Sequence, residues 1–388
     1  MTTFALHTYL DVLKKEHAPA GYIEAVRRHA KILDDKKLPV LLTLGQLAFV
    51  TDVNYPFMHA VVKRKVDPYK VFSITKRSGG KRFIVVANAN LGVVQRWIHE
   101  NILTSAAAIR TVSEAATAYL PGSSHATNAS RHQNASWIVK VDITRFFESI
   151  SERQVYYVFR SLGYRALLAF QLARICTRTI FQNDHRAYRK RWVGSVATKN
   201  NILAIGHLPQ GAATSPMLAN LVCRQLDGAL TDIASDFGLT FTRYADDITM
   251  SGDLRDRIEA GKVVKRIAIA LGKQGFNVNH QKTRVAKNGG RKIVTGISVE
   301  GDLPRVPRDY KDRVRQQLYY IERFGLKNHC GRTNERNQLS YLLRLSGQIK
   351  YIKSVEPLAG EQFAKQLKQL VPELEAIEQL AAVASERP

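Results

Sequence analysis

Two aspartates, Asp246 and Asp247, stand side by side in the stretch LTFTRYADDITMSG, whose other residues mostly favour β-strands. This pattern predicts two strands that meet at the aspartates. Adjacent carboxylates repel each other strongly once they are removed from water, so the fold must bring a compensating group to them or leave them in solvent. One interpretation is a site for a divalent cation. The other is a polar hairpin tip, where aspartate is a common turn residue, and the stretch by itself leaves both open.

A third aspartate, Asp142, lies in the apolar, β-rich run WIVKVDI at residues 137–143, which predicts a buried strand. If this strand pairs with the aspartate hairpin in an antiparallel sheet, the three carboxylates lie a few ångströms apart. Mg²⁺ binds carboxylate oxygens together with substrate phosphates, and two such ions about 4 Å apart can stabilise the attacking and leaving oxygens of a phosphoryl transfer. The alternative for Asp142 alone is a residue that caps a strand end.

The chain is strongly basic, with 58 Lys and Arg residues against 33 Asp and Glu residues and a net charge of +25. A surplus of this size favours a polyanionic partner. Nucleic acid is favoured over a membrane, because no stretch approaches the roughly 18 to 20 consecutive apolar residues that a spanning helix needs. The alternative is a soluble protein that is merely basic.

The first residues, MTTFALHTYLDVLKKEH, lack the charged and apolar regions of a secretion signal. The cysteines Cys176, Cys223 and Cys330 lie far apart and have no zinc-like spacing, which argues against a disulfide framework. Both features favour a reducing compartment. We therefore expect a cytoplasmic protein with no membrane partner.

The order of predicted elements is typical of an α+β fold with a helical region at each end. Residues 3–50 predict short amphipathic helices, and residues 70–87 predict a β-hairpin around the Ser78-Gly79-Gly80 turn. Ser151 is the predicted N-cap of a later helix. The remaining predictions are helices at residues 91–104, 151–172, 215–236 and 255–274, a strand at 291–299, and mainly helices from 308 onward.

Several motifs follow Asp142 in a fixed order: Phe146-Phe147, LPQGAATSP at 208–216, YADD at 244–247 and NVNHQKT at 277–283. Their order and separations resemble those of the reverse transcriptase family over roughly residues 70–355. The resemblance implies an RNA-directed DNA polymerase that uses dNTPs and two Mg²⁺ ions. It implies a right-hand architecture, with a helical N-terminal region at 1–69, fingers and an antiparallel palm sheet at 70–300, and a helical thumb and tail at 301–388.

The resemblance also assigns catalytic roles. Asp142 and Asp246 would hold the metal ions, Asp247 would complete the acidic cluster, and the backbone carbonyl of Ile143 would be a further ligand. Lys282, in the lysine loop NVNHQKT, would donate a proton to the leaving pyrophosphate. The alternative for Lys282 is a plain surface lysine.

A nucleotide pocket is implied by further matches. Phe147 occupies the position of the aromatic residue that rejects a ribonucleotide 2′-OH, although an ordinary core phenylalanine would also fit. Gln210 and Gly211 of the LPQG motif would line the pocket, with glycine permitting close approach of the backbone. Arg82 and Lys76 of the hairpin would contact the triphosphate; the alternative is a solvated basic turn.

Two signatures resemble those of bacterial retron reverse transcriptases: the N-A-x-x-H pattern from Asn128 to His132, and Val294-Thr295-Gly296. This resemblance implies a cognate structured noncoding RNA, a branched multicopy single-stranded DNA (msDNA) product begun from an RNA 2′-OH, and an effector protein in anti-phage defence. It also allows an oligomer. Asn128 and His132 would contact the RNA. The alternatives are a helix start with a structural histidine, and an ordinary strand end at the second signature.

The basic C-terminal region would act as a thumb that grips an RNA hairpin. Its candidate RNA contacts include Arg313, Arg323 and Lys350, and for any one of them a solvated helix face is the alternative. Two other identities compete with the retron interpretation. One is another prokaryotic reverse transcriptase, of the group II intron or diversity-generating type, and the other is a catalytically silent RNA-binding scaffold.

Overall fold

The computed structural model describes residues 6–75, 79–180, 184, 188, 205–333, 335, 337–373 and 379. Its first part contains helices α1 (Leu6–Lys15), α2 (Ala20–Asp35), α3 (Leu44–Thr51) and α4 (Tyr55–Val62), strands β1 (Tyr69–Thr75) and β2 (Lys81–Ala87), and helices α5 (Ala89–Ile98), α6 (Ala106–Ile109) and α7 (His125–Ser130). A π-helical turn, His99–Leu103, follows α5.

The middle and last parts contain strand β3 (Trp137–Asp142), helices α8 (Phe146–Ser149), α9 (Glu152–Leu162), α10 (Ala166–Cys176), α11 (Ser215–Val222) and α12 (Arg224–Asp236), strands β4 (Thr240–Tyr244) and β5 (Asp247–Gly252), helix α13 (Arg257–Lys273), strands β6 (Arg284–Lys287), β7 (Ile293–Val294) and β8 (Ile297–Ser298), and helices α14 (Arg308–Arg332), α15 (Gln338–Val355) and α16 (Pro357–Leu370).

A four-stranded antiparallel sheet, the palm sheet, has the order β4-β5-β3-β6. Because side chains alternate along a strand, Val139 and Val141 point to one face of β3, whereas Lys140 and Asp142 point to the other. The valine face is apolar and packs against α12 and α13. The opposite face carries Lys140 and Asp142, and the predicted α+β fold with an antiparallel palm sheet is confirmed.

Helices α2, α3 and α4 share one apolar cluster with the palm sheet, which includes Leu33, Leu47 and Val61 together with Val141. Between these parts, the Arg64 guanidinium bonds to the Glu152 carboxylate at 2.7 Å, and Arg174 bonds to the same carboxylate at 3.1 Å. The predicted boundary near residue 69 therefore crosses a continuous core.

The predicted hairpin is confirmed: β1 pairs with β2 in the register Tyr69↔Ala87 to Thr75↔Lys81. Residues 76–78 of the connection, among them Lys76, lie outside the described residues, whereas Gly79 and Gly80 are described and both have positive φ. The backbone N–H of Val85 donates to the Gln210 carbonyl at 2.8 Å, so the hairpin is bonded directly to the LPQG loop.

Several predicted elements are wrong in extent. The helix expected over 151–172 has the predicted N-cap Ser151, but it ends before Gly163. Gly163 has φ +122°, a backbone conformation that residues with a side chain rarely adopt. The helix expected over 215–236 is divided at Cys223, and the α-helix expected to reach residue 104 ends at Ile98. The strand expected over 291–299 is a tight hairpin, whose turn residues Thr295 and Gly296 both have positive φ.

Helices α14, α15 and α16 surround a second apolar cluster that includes Val314, Leu318, Leu345 and Ile349. Gly325 interrupts α14 with φ 74° and ψ 155°, so this long helix changes direction there. Within the described ranges, no helix has the length and apolarity needed to cross a bilayer.

Candidate active site

Three aspartates meet at the end of the palm sheet. Asp142, the last residue of β3, lies opposite Asp247, the first residue of β5, and Asp246 precedes it in the turn from β4. The backbone N–H of Ile143 donates to the Asp246 carbonyl at 3.0 Å, which ties the turn to the end of β3. The predicted convergence of the two strand ends is confirmed.

The side chain of Arg243 supports the turn that carries Asp246 from the interior of the protein. Its guanidinium is fully buried, bonds to both carboxylate oxygens of Asp227 at 2.6 and 2.8 Å, and donates to the carbonyl of Ala245 at 3.2 Å. Ala245 has φ 57°, a left-handed conformation that is uncommon for a residue with a side chain. The buried ion pair therefore supports a strained turn and so positions Asp246.

Two lysines and one asparagine face the aspartates. Lys282 bonds to Asp142 at 2.7 Å, Lys140 bonds to Asp247 at 2.9 Å, and the Asn279 amide donates to Asp142 at 2.9 Å. The lysine loop is thus anchored on the first aspartate. Lys282 also lines the cleft, and its role as a proton donor remains a prediction.

The electrostatics of Asp246 and Asp247 are unfavourable in this arrangement. Removal from water raises the pKa of Asp246, and the neighbouring Asp142 carboxylate raises it further. Removal from water also raises the pKa of Asp247, while Lys140 opposes that effect. The carboxylates therefore favour an added cation.

The donor set fits a divalent metal, because carboxylate and carbonyl oxygens are the ligands that Mg²⁺ prefers. Asp142, Asp246 and Ile143 all line the same cleft. In the part of the chain that the structure describes, however, no three acidic, histidine or cysteine side chains already surround one point. Lys140 and Lys282 hold two of the carboxylates instead, so metal binding would exchange these lysine contacts.

Asp142 and Asp246 line a cleft of about 580 Å³, whose wall does not include Asp247. Its walls bring together the predicted residues Arg82 from the hairpin, Phe147 after β3, Gln210 from the LPQG loop and Lys282. These residues are far apart in the chain, so the fold brings Arg82, Phe147 and Gln210 of the predicted nucleotide-binding set to one cleft. Gly211 was expected to line the pocket but is not among the residues of the cleft wall, and Lys76 lies outside the described residues.

Phe147 is only partly buried, and its ring lies 6.3 Å from that of Tyr119 and 5.3 Å from that of Phe146. Tyr119 also lines the cleft, and it has φ 65°. Burial, followed by the charge of Asp246, raises the pKa of Tyr119 to about 12. Phe147 therefore lies in a group of three aromatic rings at the cleft wall, and its role as a steric gate remains a prediction.

The backbone conformation and the close neighbours of Gly211 explain why the LPQG motif contains glycine. It has φ +129°, and a Cβ atom there would lie 2.9 Å from the Val85 carbonyl oxygen and 3.0 Å from a methyl carbon of Ile84. A side chain would push the hairpin away. The structure thus shows a close approach between Gly211 and the hairpin backbone.

Asn128 and His132 are not at the surface. Asn128 accepts a hydrogen bond from the Thr117 hydroxyl at 2.6 Å, and the His132 ring bonds through its two nitrogens to Ser251 and Thr242, each at 2.7 Å. Both residues are buried, with at most 1% of their surface exposed. Their predicted contact with RNA is therefore contradicted in this conformation, and the structure supports the alternative of a structural histidine.

The predicted thumb contacts differ from this pair. Arg313, Arg323 and Lys350 are exposed on α14 and α15. Arg323 donates to the Tyr319 hydroxyl at 2.6 Å, and the Arg313 guanidinium lies over the Tyr310 ring at 5.5 Å. These side chains are accessible to a polyanion, and their contact with RNA remains a prediction.

Residues 74–295 match the family model of the reverse transcriptase, described as RNA-dependent DNA polymerase. The chain is 33% identical over 327 residues to the retron Mx162 reverse transcriptase of Myxococcus xanthus, covering 79% of this chain and 62% of that one. It is 30% identical over 342 residues to the retron Mx65 reverse transcriptase of the same organism, covering 85% and 72%. It is 27% identical over 338 residues to the retron Ec86 reverse transcriptase of Escherichia coli, covering 84% and 92%.

The chain therefore belongs to the reverse transcriptase family, whose members are divalent-metal-dependent polymerases. Within that family it belongs with the retron reverse transcriptases. It spans about 62% of the length of the first of these relatives. Among solved structures, a telomerase from Candida albicans with a fragment of telomeric RNA matches at 13% identity and a TM-score of 0.39, over 82% of this chain and 64% of that one.

Four residues of the site were not predicted: Lys140, Asn279, Arg243 and Tyr119. The strand alternation could have identified Lys140, because it lies two residues before Asp142 and therefore on the same face. Asn279 stands in the lysine loop already singled out. Arg243 and Tyr119 depend on partners distant in sequence, Asp227 and Phe147, so no local pattern indicates their roles.

Proposed function

We propose that this chain is a retron-type RNA-directed DNA polymerase that binds a structured noncoding RNA and copies part of it into branched msDNA. The observation that carries the proposal is the register of β3 and β5, which pairs Asp142 with Asp247 next to a cleft that Asp246 also lines. Its membership among the retron reverse transcriptases supports the choice of template and product.

Asp142, Asp246 and the Ile143 carbonyl would hold two Mg²⁺ ions, with Asp247 completing the acidic cluster. When bound, the ions would supply the Lewis acidity that stabilises the attacking and leaving oxygens of nucleotidyl transfer. Lys282 would release Asp142, to which it now bonds at 2.7 Å, and would donate its proton to the leaving pyrophosphate.

The walls of the cleft would select the nucleotide. Arg82, exposed on the hairpin, would contact the triphosphate, with Lys76 beside it. Gln210 would face the nucleotide from the LPQG loop, with Gly211 next to it. Phe147 would contact the sugar where a 2′-OH would clash.

The remaining steps are proposed by similarity to retron enzymes. Synthesis would start from an RNA 2′-OH and leave RNA and DNA joined in one branched molecule. The exposed thumb residues Arg313, Arg323 and Lys350 would contact phosphates of the RNA, since RNA helices are recognised mainly through shape, phosphates and 2′-hydroxyls. The enzyme would work with an effector protein in defence against phage.

The proposal is tested by incubating the purified protein with the noncoding RNA of its native locus, Mg²⁺ and dNTPs. We expect single-stranded DNA that remains attached to RNA after protease treatment. The Asp246→Ala variant should make none, whereas Asp232→Ala, an exposed aspartate on α12, should make as much as the wild type. Robust synthesis by Asp246→Ala would refute the metal assignment, and unbranched DNA would refute the retron type.

The sugar gate has its own test. Phe147→Ala should admit ribonucleotides about 10-fold or more better than the wild type, which is about 1.4 kcal/mol of lost discrimination. The ratio of kcat/KM for dCTP and CTP measures it. Unchanged rejection of CTP would show that Phe147 is an ordinary core residue.

A further inference from the structure

A second cavity, of about 590 Å³, lies between α14 and α15 in the predicted thumb. It contains none of the residues that line the catalytic cleft. Its wall combines aromatic rings with amide and charged groups: Gln316, Gln317, Tyr320, Phe324, Arg332 and Tyr341.

The Tyr320 ring in this thumb cavity lies at a small angle to two neighbouring rings, those of Phe324 and His329. Tyr320 lies 6.1 Å from Phe324 with the ring planes 30° apart, and 5.8 Å from His329 with the planes 24° apart. His329 is fixed in turn, because its Nε2 atom bonds to the Tyr341 hydroxyl at 2.8 Å. The three rings form a platform supported by a buried hydrogen bond.

The platform is open because α14 is interrupted beside it. Gly325 follows Phe324 directly and leaves the helical conformation, so the two halves of the helix diverge at the cavity. Tyr320 retains 36% of its surface exposed despite its three ring neighbours, Tyr319, Phe324 and His329. A row of rings that served only the core would be covered, as Tyr341 is at 3%.

Positive charge and hydrogen-bonding groups surround the rings. The Arg332 guanidinium lies 4.3 Å above the Phe324 ring, and the Arg344 guanidinium lies 5.1 Å from the Tyr341 ring and pairs with Glu335. Gln317 accepts a hydrogen bond from the Tyr341 hydroxyl at 3.1 Å. The cavity can therefore stack a flat ring, bond to its polar edge and attract an adjoining anion.

We propose that this thumb cavity binds an unpaired nucleobase of a nucleic-acid strand, with Tyr320 and Phe324 as the stacking surface and Arg332 beside the adjoining phosphate. Bases have aromatic faces, polar edges and a phosphate on either side, and stacking on aromatic residues is the usual way in which proteins hold unpaired bases. An apolar peptide would match the rings but not the arginines. This inference rests on the proposed function only for the supply of a strand, RNA template or DNA product.

The test uses the full-length protein and a short single-stranded oligouridine that carries one 2-aminopurine, a base whose fluorescence is quenched by stacking. We expect wild-type protein to bind the oligonucleotide and to quench its emission. Tyr320→Leu, which retains bulk but removes the ring, should lose the quenching and bind about 10-fold more weakly, or about 1.4 kcal/mol. Phe324→Leu provides a second variant of the same kind.

Tyr157→Leu is the control, because Tyr157 is an exposed tyrosine on α9 that does not line the cavity and whose ring lies against Tyr156 and Arg153. It should bind and quench like the wild type. Thermal melts of all variants establish that each is folded. If the folded Tyr320→Leu and Phe324→Leu proteins still quench fully, or if Tyr157→Leu loses as much, the nucleobase assignment is wrong.

A comparison of RNA and DNA oligonucleotides with the same bases identifies which strand supplies the base. Tighter binding of RNA than of DNA with the same bases assigns the cavity to the noncoding RNA, the reverse assigns it to the DNA product, and equal binding assigns it to either. A fully paired RNA duplex should not displace the probe from the cavity, and displacement would contradict the proposal. DNA synthesis by the wild type on a primed template is measured in parallel. A wild-type protein that quenches the probe but synthesises nothing would refute the proposed function and leave the nucleobase assignment standing.

Discussion

The palm sheet carries two polar clusters on one face, and they differ in how their polar groups are satisfied. The acidic cluster consists of Asp142, Asp246 and Asp247 at one end of β3 and β5. The histidine cluster consists of His132 with Thr242 and Ser251 towards the other end of β4 and β5. Asp247 and Ser251 are four residues apart on β5, or about 13 Å, and point to the same face.

The histidine cluster is complete within the protein. A neutral imidazole donates one hydrogen bond and accepts another, and His132 has both partners, Ser251 and Thr242, at 2.7 Å. Burial lowers the pKa of His132 to about 4, with smaller contributions from Arg131 and Lys140. Nothing further needs to bind there for the cluster to be stable.

The acidic cluster is incomplete, because its carboxylates outnumber the two lysines that bond to them, Lys140 and Lys282. Burial raises the pKa of both Asp246 and Asp247, the sign expected of charges that lack enough compensation. The two clusters on this face of the sheet therefore differ in one respect. The structural histidine cluster finds all its hydrogen-bond partners within the protein, whereas the acidic cluster does not find enough positive charge there. The predictions below test that distinction.

The largest effect is expected for Asp246→Asn, which keeps the shape of the side chain and removes its charge. DNA synthesis should fall by about 1,000-fold or more, or about 4 kcal/mol of transition-state stabilisation. The free energy of unfolding without Mg²⁺ should stay equal or increase, because a partly desolvated charge next to Asp142 is removed. Steady-state synthesis and urea unfolding measure both, with Asp232→Asn as control. A marked loss of stability would place Asp246 among the structural residues.

Arg243→Met tests the ion pair beneath the acidic turn. Leaving Asp227 buried and unpaired should cost about 3–5 kcal/mol of unfolding free energy, since both side chains are fully buried. Adding Asp227→Leu should restore much of that stability. Synthesis should remain low in the stable double variant, because the Ala245 carbonyl has still lost its donor; full activity there would show that Arg243 does not position Asp246.

His132→Gln tests the completeness of the histidine cluster through pH. The pKa of His132 is about 4 when folded and 6.5 ordinarily, so between these values the unfolded chain binds more protons. Wild-type stability is therefore complete above about pH 6.5 and decreases as the pH falls towards 4. The variant should lack this part of the pH dependence, a difference of about 2–3 kcal/mol between pH 7.5 and 4.5. Urea unfolding of the wild type and the variant at both pH values measures this difference. An equal change of unfolding free energy with pH in the two proteins would contradict the assignment.

The contrast between the clusters also shows what a sequence can predict here. The acidic cluster was predictable because strand ends define where Asp142, Asp246 and Asp247 meet, whatever the rest of the fold does. The burial of His132 was not, because its partners Thr242 and Ser251 stand more than a hundred residues later and their polar character looks like that of a surface strand. A motif identifies a residue type and a position, but not the direction in which the side chain points.

Helix ends follow the same division between local and distant causes. Ser151 was a correct N-cap because the cap and Gln154 are three residues apart and bond to each other. The break at Cys223 was missed, because the apolar pattern continues through it into α12. The two helices nevertheless pack against different elements, α11 against α9 and α12 against β4 and α13. Tertiary contacts thus decided the features that the sequence pattern left ambiguous.

The smallest effect is expected for Lys140→Met, which lies between the two clusters on β3. Its ion pair with Asp247 is only partly buried, with 23% and 25% of the side chains exposed, so its loss should cost less than about 1 kcal/mol of stability. DNA synthesis should then reach half its maximal rate at a lower Mg²⁺ concentration, because one positive charge that competes for the carboxylates has been removed. A Mg²⁺ titration of DNA synthesis measures the shift. Lys262→Met, a change at an exposed lysine on α13, is the control. A higher Mg²⁺ requirement would mean that Lys140 completes the acidic cluster instead of competing with the metal.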